Sequence, residues 1–206
     1  MALDTPVGGG LRERKKQATR QALIQAAVRL ARERGPDRTR VEDIAAAAGV
    51  SPRTFNNYFS SKEEAIASAA VDRAERTAEA LVRRPADEPL ADALRHALAD
   101  EHPDPSVRDP EARAQLRLIM WPQLRAEYHK AELTMERRLA AAIAERTGTG
   151  TGRDLYPRTL AAAVVAALRV ATTHWASSGK DVRLGDIIAE AVGIVVSPVQ
   201  AGRGGK

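Results

Sequence analysis

Apolar residues recur every three or four positions along most of the chain, the spacing that gives an α-helix one buried face. The pattern begins in residues 12–34, where Leu23, Ala27 and Leu30 fall on one side, and Gly35-Pro36 ends it. Short stretches rich in Pro, Gly and Ser separate the later repeats of the pattern. We predict nine helices: residues 12–34, 40–48, a short one from 52, 62–84, 90–99, 111–119, 123–147, 155–177 and 183–196.

Composition supports an all-α fold. Ala, Leu, Glu and Arg, all strong helix formers, dominate the chain, and aromatic residues make up only 3% of it. There is no Cys, which excludes disulfides and thiolate metal ligands. No two of the four histidines have the i, i+4 spacing of a helical zinc site, so we expect no metal and no cofactor. These histidines are His96, His102, His129 and His174.

Positive charge is concentrated in the first third of the chain. Residues 1–62 contain 12 Lys/Arg and 6 Asp/Glu, a net charge of +6, whereas residues 63–206 contain 20 and 21, a net charge of −1. This asymmetry favours a polyanion as the partner of the N-terminal part. A solubilising tail would give the same balance, so charge alone leaves both interpretations open.

The chain divides into four expected segments. We predict a disordered leader over residues 1–11, a three-helix domain over 12–60, a larger helical domain over 61–197 and a disordered tail over 198–206. No uninterrupted apolar run reaches the roughly 18 residues of a membrane span, and the N-terminus lacks the apolar core of a signal peptide. We therefore expect a cytoplasmic protein with no membrane partner.

The stretch TRVEDIAAAAGVSPRTFNNYFSSKEEAI, beginning at Thr39, predicts two short helices joined by a tight turn. Thr39 and Glu42 have the spacing of a capping box. Gly49 can adopt the positive φ that a tight turn needs, and Ser51 with Pro52 forms a favourable start for the next helix. Together these signals indicate a helix-turn-helix.

The second of these helices has an apolar side and a polar side. Phe55 and Tyr58 fall at inward positions, where their rings can tie two short helices to their neighbours. The outward residues are short or planar hydrogen-bonding side chains of the kind that read base edges in the major groove. A solvated polar face of an ordinary helix corner would look the same, but the surrounding basic residues favour DNA. The outward residues are Arg53, Thr54, Asn56 and Asn57.

This stretch resembles the DNA-binding domain of the TetR family of bacterial transcriptional regulators, over about residues 12–66. The shared pattern includes Ile-Ala, Ala-Gly-Val-Ser, Thr-Phe, Tyr-Phe and Ser-Lys-Glu at fixed spacing, and Asn56 departs from it where the family has an aromatic residue. The resemblance implies phosphate contacts by Thr39, Tyr58 and Lys62 and a reading helix that carries the outward residues. The full expected DNA-binding set is Thr39, Arg40, Ser51, Pro52, Arg53, Thr54, Asn56, Asn57, Tyr58 and Lys62.

The resemblance also implies how the whole protein works. It implies a nine-helix homodimer that pairs through residues of about 158–178 and 183–196 and binds double-stranded DNA at an inverted-repeat operator. It further implies a small-molecule effector that releases the DNA, which describes a ligand-responsive repressor. The segments PQLRAEYHKAELTMERRLAAAIAERTG and LYPRTLAAAVVAALRVATTHWASSG are similar to the branch with an acyl-CoA-like ligand-binding domain, so acyl-CoA or a fatty acid is the expected effector class.

The middle helices carry the candidate effector-binding residues. Their aromatic, Met and apolar side chains suit an apolar ligand, and nearby arginines suit an anionic end, although rings at helical spacing also form plain core. Arg169 lies in an apolar segment. If it is buried, it needs an anion, which a ligand or a Glu across a dimer interface could supply; an interface or a surface position is the other expectation for it. The expected residues are Arg117, Met120, Trp121, Arg125, Tyr128, Met135, Arg169, His174 and Trp175.

Two other classes of function fit the sequence less well. A protein–protein adaptor could use the helix-turn-helix surface, but the net charge of +6 on residues 1–62 argues against it. A helical enzyme is the other, but the chain has no Gly-rich phosphate loop, no Ser/His/Asp grouping and no metal spacing. We therefore expect a regulator and no enzyme activity.

Overall fold

The computed structural model describes residues 8–101, 110–178 and 182–196, which form nine α-helices and no strand. The predicted all-α, nine-helix fold is confirmed. The helices are α1 Gly8–Arg34, α2 Val41–Ala47, α3 Pro52–Asn56, α4 Lys62–Arg83, α5 Leu90–Glu101, α6 Pro110–Arg117, α7 Arg125–Thr147, α8 Leu155–Ser178 and α9 Leu184–Val196.

The ends of the helices differ from the prediction mainly at the N-terminus. Helix α1 begins at Gly8, so it includes the last residues of the segment predicted as a disordered leader. Extending an existing helix adds one backbone hydrogen bond per residue, which favours its growth into a weak sequence. The rest of the predicted leader and the predicted tail lie outside the described residues.

Two apolar cores organise the described residues. The N-terminal core holds α1, α2 and α3 around fully buried Leu23, Ile44 and Phe55. The C-terminal core is formed by α4, α5, α7, α8 and α9, with Trp175 as its largest fully buried side chain. Helix α4 supplies residues to both cores, so it connects them.

The connection between α6 and α7 crosses the predicted domain boundary. Two 3₁₀ turns, Leu118–Met120 and Pro122–Leu124, flank Trp121, which lies in the gap between the predicted helices 111–119 and 123–147. Leu118 and Leu124 are buried in the N-terminal core, and Trp121 packs against it. The predicted boundary at residue 60 therefore separates two segments along the chain, but residues from both sides of it pack in the N-terminal core.

Helix α8 has the length and mean hydropathy of a membrane-spanning helix, a property that the search for uninterrupted apolar runs missed. Within its most apolar window, however, 56% of the residues are buried inside the protein. It packs against α7 on one side and α9 on the other, as a core helix does.

Candidate nucleic-acid interface and effector cavity

A glycine turn joins α2 to α3. Gly49 has a φ of 70°, in the left-handed region that other residues resist. The backbone N–H of Val50 donates to the carbonyl of Ala45 at 2.9 Å, which closes the turn. Ala45 is fully buried, so the two short helices meet on a small side chain. The predicted helix-turn-helix is present.

Helix α3 is capped as predicted. The Ser51 hydroxyl accepts a hydrogen bond from the backbone N–H of Thr54 at 3.1 Å, and Pro52 occupies the first turn. This capping stabilises a helix too short to be stable alone. Ser61 caps α4 in the same way, through the backbone N–H of Glu64 at 3.1 Å.

The predicted capping box of α2 is wrong. The residue at the cap position is Arg40, with no side-chain hydrogen bond to the helix. Thr39 is only 1% exposed, and its hydroxyl donates to the Gly35 carbonyl at 3.0 Å. In this conformation Thr39 therefore anchors the turn before α2 and does not present its hydroxyl to a phosphate.

Aromatic packing holds α3 in place. Phe55 is fully buried and its ring centroid lies 5.6 Å from that of Phe59. The Arg20 guanidinium of α1 lies 5.7 Å from the centroid of Phe59, and Tyr58 is half-buried beside it. The rings in this stretch thus serve the core, as predicted, and leave the polar residues of α3 facing outward.

Most residues predicted to bind DNA are accessible. Arg40 and Arg53 have no ion-pair partner among the described residues, so their guanidinium groups can bind phosphates or base edges. Thr54, Tyr58 and Lys62 are half-buried. The exposed residues are Arg40, Ser51, Pro52, Arg53, Asn56 and Asn57, together with the basic Arg12, Arg14, Lys15 and Lys16 of α1.

Lys62 has a structural role that the sequence did not indicate. Its Nζ donates to the Pro36 carbonyl at 2.8 Å and to the Thr39 carbonyl at 2.9 Å. The same Nζ lies 3.9 Å from a carboxylate oxygen of Glu63, so partners inside the protein surround the ammonium group. Lys62 therefore ties the start of α4 to the turn that precedes α2.

A cavity of about 80 Å³ lies between α4, α6, α7 and α8. Its lining is largely apolar, with Met135, Val165 and Leu168 as major contributors. Five polar side chains line it: Arg73, Tyr128, Glu132, Arg169 and Thr172. An apolar cavity with a few polar groups is the usual make-up of a small-molecule site.

Burial affects two of the polar groups in this cavity. Removal from water raises the pKa of Tyr128 to about 12, so the phenol stays protonated at physiological pH. Burial also lowers the pKa of Arg73, and the neighbouring charge of Arg76 adds to this effect. Arg73 remains charged because an arginine pKa starts far above physiological pH.

An open cleft of about 670 Å³ adjoins the cavity along α7 and α8. The two spaces share Tyr128, Glu132 and Arg169 in their linings. Arg169 is half exposed, and its Nε lies 3.5 Å from a carboxylate oxygen of Glu132 in the same chain. Arg169 therefore lies at the surface, one of the positions expected for it, and Glu132 of the same chain supplies a carboxylate near it.

Of the predicted effector-binding residues, four reach these spaces: Arg125 lines the cleft, Met135 lines the cavity, and Tyr128 and Arg169 line both. They come from α7 and α8. The other five are absent from the described linings of both spaces. These are Arg117, Met120, Trp121, His174 and Trp175.

Each of these five side chains has other surroundings. The two tryptophans are core or packing residues: Trp121 packs over Gly35, and fully buried Trp175 donates through Nε1 to the Val182 carbonyl at 2.8 Å. Arg117 donates through Nε to the Ala176 carbonyl at 3.2 Å. Met120 and His174 are exposed. Aromatic residues in these helices therefore mark positions in the core more reliably than positions that line the cavity.

The sequence reasoning missed the contribution of α4 to the cavity. Ala70, Arg73 and Ala74 line it from this helix. Their three- and four-residue spacing marks one face of α4. The available signal for Arg73 was that a charged residue shares this face with two alanines, Ala70 and Ala74.

Comparison with known proteins identifies the class of protein. Residues 23–69 match the family model described as bacterial regulatory proteins, tetR family, and residues 88–200 match that of the MftR C-terminal domain. The HTH-type transcriptional regulator TcmR of Streptomyces glaucescens is 39% identical over 186 residues, covering 83% of this chain and 79% of TcmR. The fold, the exposed α3 and these matches define a helix-turn-helix transcriptional regulator. The chain belongs to the TetR family, as its sequence suggested.

Solved structures share the fold at low sequence identity. A TetR-family regulator from Syntrophomonas wolfei aligns with a TM-score of 0.62 at 16% identity, over 90% of this chain and 99% of that one. Thermus thermophilus FadR, a repressor solved in complex with lauroyl-CoA, aligns with a TM-score of 0.57 at 20% identity, over 91% and 100%. Regulators of this family bind DNA and small-molecule effectors and act as dimers.

Proposed function

We propose that this protein is a ligand-responsive repressor that binds an inverted-repeat operator as a homodimer and leaves it when a small, largely apolar effector binds. The observation that carries the proposal is the position of α4. One face of this helix lines the apolar cavity, while Lys62 at its start is hydrogen-bonded to the turn before α2. A ligand in the cavity thus contacts the helix that supports the DNA-binding domain.

The surface of α3 supports operator recognition. Arg53 is exposed near the start of a capped helix, which is where a recognition helix presents its base-reading residues. Asn56 and Asn57 are exposed beside it and can form paired hydrogen bonds to adenine. Of the other predicted residues, Arg40 and Tyr58 are proposed to position the helix on the phosphates, whereas Thr39 and Lys62 are proposed to hold the turn before α2.

Dimerisation is supported by apolar residues left exposed on α8 and α9. Val170 is 56% exposed and Ile194 is 72% exposed in the single chain. Pairing of α8 and α9 with their two-fold equivalents would bury such residues in a four-helix bundle. Two-fold symmetry of the protein then requires operator half-sites about one helical turn, or a multiple of it, apart.

The effector is proposed to be an apolar molecule with an anionic end, such as a fatty acid or acyl-CoA. The apolar lining of the cavity supports this chemistry, and so do the two arginines that reach it, Arg73 and Arg169. Thermus thermophilus FadR, which shares the fold, was solved with lauroyl-CoA. We place the protein in the cytoplasm, where its DNA and such metabolites occur together.

Genomic footprinting with the purified protein, followed by operator titration, tests the proposal. We expect a site with dyad symmetry whose affinity falls steeply with salt and survives competitor DNA. Dodecanoate or lauroyl-CoA should raise the melting temperature and weaken operator binding together. A strongly preferred site without dyad symmetry would refute dimeric recognition. A panel of such amphiphiles with neither effect would refute the effector class.

A further inference from the structure

Arg73 occupies a junction between two spaces. It lines the apolar cavity, and it also lines a groove of about 310 Å³ between α1, α4 and α6. Among the described lining residues, it is the one that the cavity and the groove share. The wall between the two spaces is one residue thick in sequence on both α4 and α6. Ala69 and Gln115 line the groove, and the next residues, Ala70 and Leu116, line the cavity.

The other charged residues that line the groove have partners. Arg29 pairs with Glu33 at 3.5 Å, Arg32 with Glu111 at 3.1 Å and Arg76 with Glu101 at 2.7 Å. Asp72 pairs with Arg20 at 2.9 Å. Arg73 is therefore the charged residue of the groove that has no direct ion pair within the described ranges, although the charge of Glu101, the partner of Arg76, also acts on it.

Arg73 has no hydrogen-bond or ion-pair partner for its guanidinium among the described residues. Burial without a partner is costly for a charged group, and its lowered pKa reflects that cost. The Tyr128 hydroxyl lines the same cavity and likewise has no hydrogen-bond partner in the described part of the chain. Two donor groups thus reach a largely apolar space without a hydrogen-bond acceptor of their own.

The charged residues on the opposite side of the cavity do not compete for an anion. Arg169 is already paired with Glu132 at 3.5 Å. The adjoining cleft adds Arg125 and Glu136, which balance each other in charge. An anion that enters this region therefore finds its uncompensated positive charge at Arg73.

We propose that Arg73, with the Tyr128 hydroxyl, binds the anionic head of an amphiphilic effector whose apolar part occupies the cavity. This inference rests on the proposed function, and it adds the residue that selects a charged over a neutral ligand. The head is a carboxylate or a phosphate, since both accept hydrogen bonds from a guanidinium in the same geometry. A large phosphate-bearing head would extend into the groove, towards Arg76.

Calorimetric titration of the full-length protein with three probes tests the proposal. Dodecanoate carries a carboxylate, lauroyl-CoA carries phosphates on a thioester-linked chain, and dodecanol has the same chain without charge. We expect wild type to bind an anionic probe more tightly than dodecanol. Arg73→Met should weaken that binding about ten- to hundredfold, the range of a charge-assisted hydrogen bond, and should leave dodecanol binding unchanged. Arg73→Lys should restore part of the loss.

Two controls separate binding from folding. Arg83→Met removes an exposed arginine of the same helix that lies outside the cavity and groove, and it should leave all three affinities unchanged. The melting temperature of ligand-free Arg73→Met should match or exceed that of wild type, because an unpaired, partly buried charge is removed. Tyr128→Phe should weaken binding of the anionic probe by a smaller factor than Arg73→Met does.

The outcomes distinguish this inference from the proposed function. Equal affinity of wild type for dodecanol and both anionic probes would overturn the role of Arg73 and leave an apolar effector in place. Equal affinity of an anionic probe for Arg73→Met and for wild type would also overturn the role of Arg73. If none of the three probes binds, the proposed effector class fails together with this inference, while sequence-specific operator binding would still stand.

Discussion

Replacing Lys62 tests how the helix-turn-helix is held. Lys62→Met keeps the length of the aliphatic stem and removes the ammonium group. The change deletes two charge-assisted hydrogen bonds, of 2.8 and 2.9 Å, to the carbonyls of Pro36 and Thr39. It leaves two acceptors at the turn before α2 that water must satisfy.

The expected loss of stability follows from the exposure of the group. A hydrogen bond to a charged group contributes about 1.5–3 kcal/mol. The Lys62 side chain is 24% exposed, and ordering a lysine costs side-chain entropy, so each bond falls at or below the low end of that range. We therefore expect Lys62→Met to lower the free energy of unfolding by about 2 kcal/mol, or the melting temperature by roughly 4–8 °C.

Urea denaturation and a salt titration of operator binding measure the two possible roles of Lys62. Because two of its donors are used inside the protein, we expect the salt slope to stay close to that of wild type. Arg40→Met is the matched comparison: Arg40 is exposed, and as a phosphate contact its loss should lower the slope by about 0.9 without loss of stability. A stable Lys62→Met variant with a slope lower by about 0.9 would refute the reasoning and restore Lys62 as a phosphate contact.

Three further predictions concern recognition, assembly and packing. Arg53→Ala should weaken operator binding by about 1–3 kcal/mol and random-DNA binding much less; equal losses would show a phosphate contact instead. Ile194→Asp should produce monomers in sedimentation at micromolar concentration, whereas Val82→Asp, which alters a 41% exposed residue of α4, should stay dimeric. Arg146→Met should lower the free energy of unfolding by about 2–3 kcal/mol in urea titration, because it removes donors to four carbonyls near the end of α4; unchanged stability would contradict this.

Local signals in the sequence predicted the helices well. Caps and turns depend on a few adjacent residues, so the roles of Ser51 at α3 and Gly49 before it could be derived directly. Thr39 shows the limit of such reasoning. Its spacing to Glu42 fits a capping box, but its hydroxyl donates to Gly35 because the turn before α2 is buried against the N-terminal core.

The cavity was less predictable because it is formed by helices that are distant in sequence. Residue type favoured the tryptophans, but Trp175 fills the C-terminal core and Trp121 seals the junction with the N-terminal core. Arg73 sits in a helix whose pattern reads as an ordinary charged face. That it lacks a direct ion pair becomes visible only when α1, α4, α6 and α7 are placed around it.

The arrangement of α4 shows how a small effector could act on DNA binding under the proposed function. Arg73 and Lys62 lie eleven residues apart on this helix, about 16 Å along its axis. Asp72, adjacent to Arg73, accepts hydrogen bonds from Arg20 and Gln21 of α1, each at 2.9 Å. A displacement of α4 at the cavity would therefore be transmitted at two points, the middle of α1 and the turn before α2.

The effector must supply enough binding energy to shift the protein from its DNA-bound to its DNA-free state. Moving a two-state equilibrium from mostly bound to mostly free DNA takes a difference of about 5.5 kcal/mol between the effector affinities of the two states. The cavity, at about 80 Å³, is too small to enclose a twelve-carbon chain unless it widens. The adjoining open cleft of about 670 Å³ can hold part of the chain, and the proposed mechanism has α4 move away from α7 and α8 to admit the rest. Asp72 and Lys62 would pass this motion to the DNA-binding domain, which couples effector binding to movement of α4.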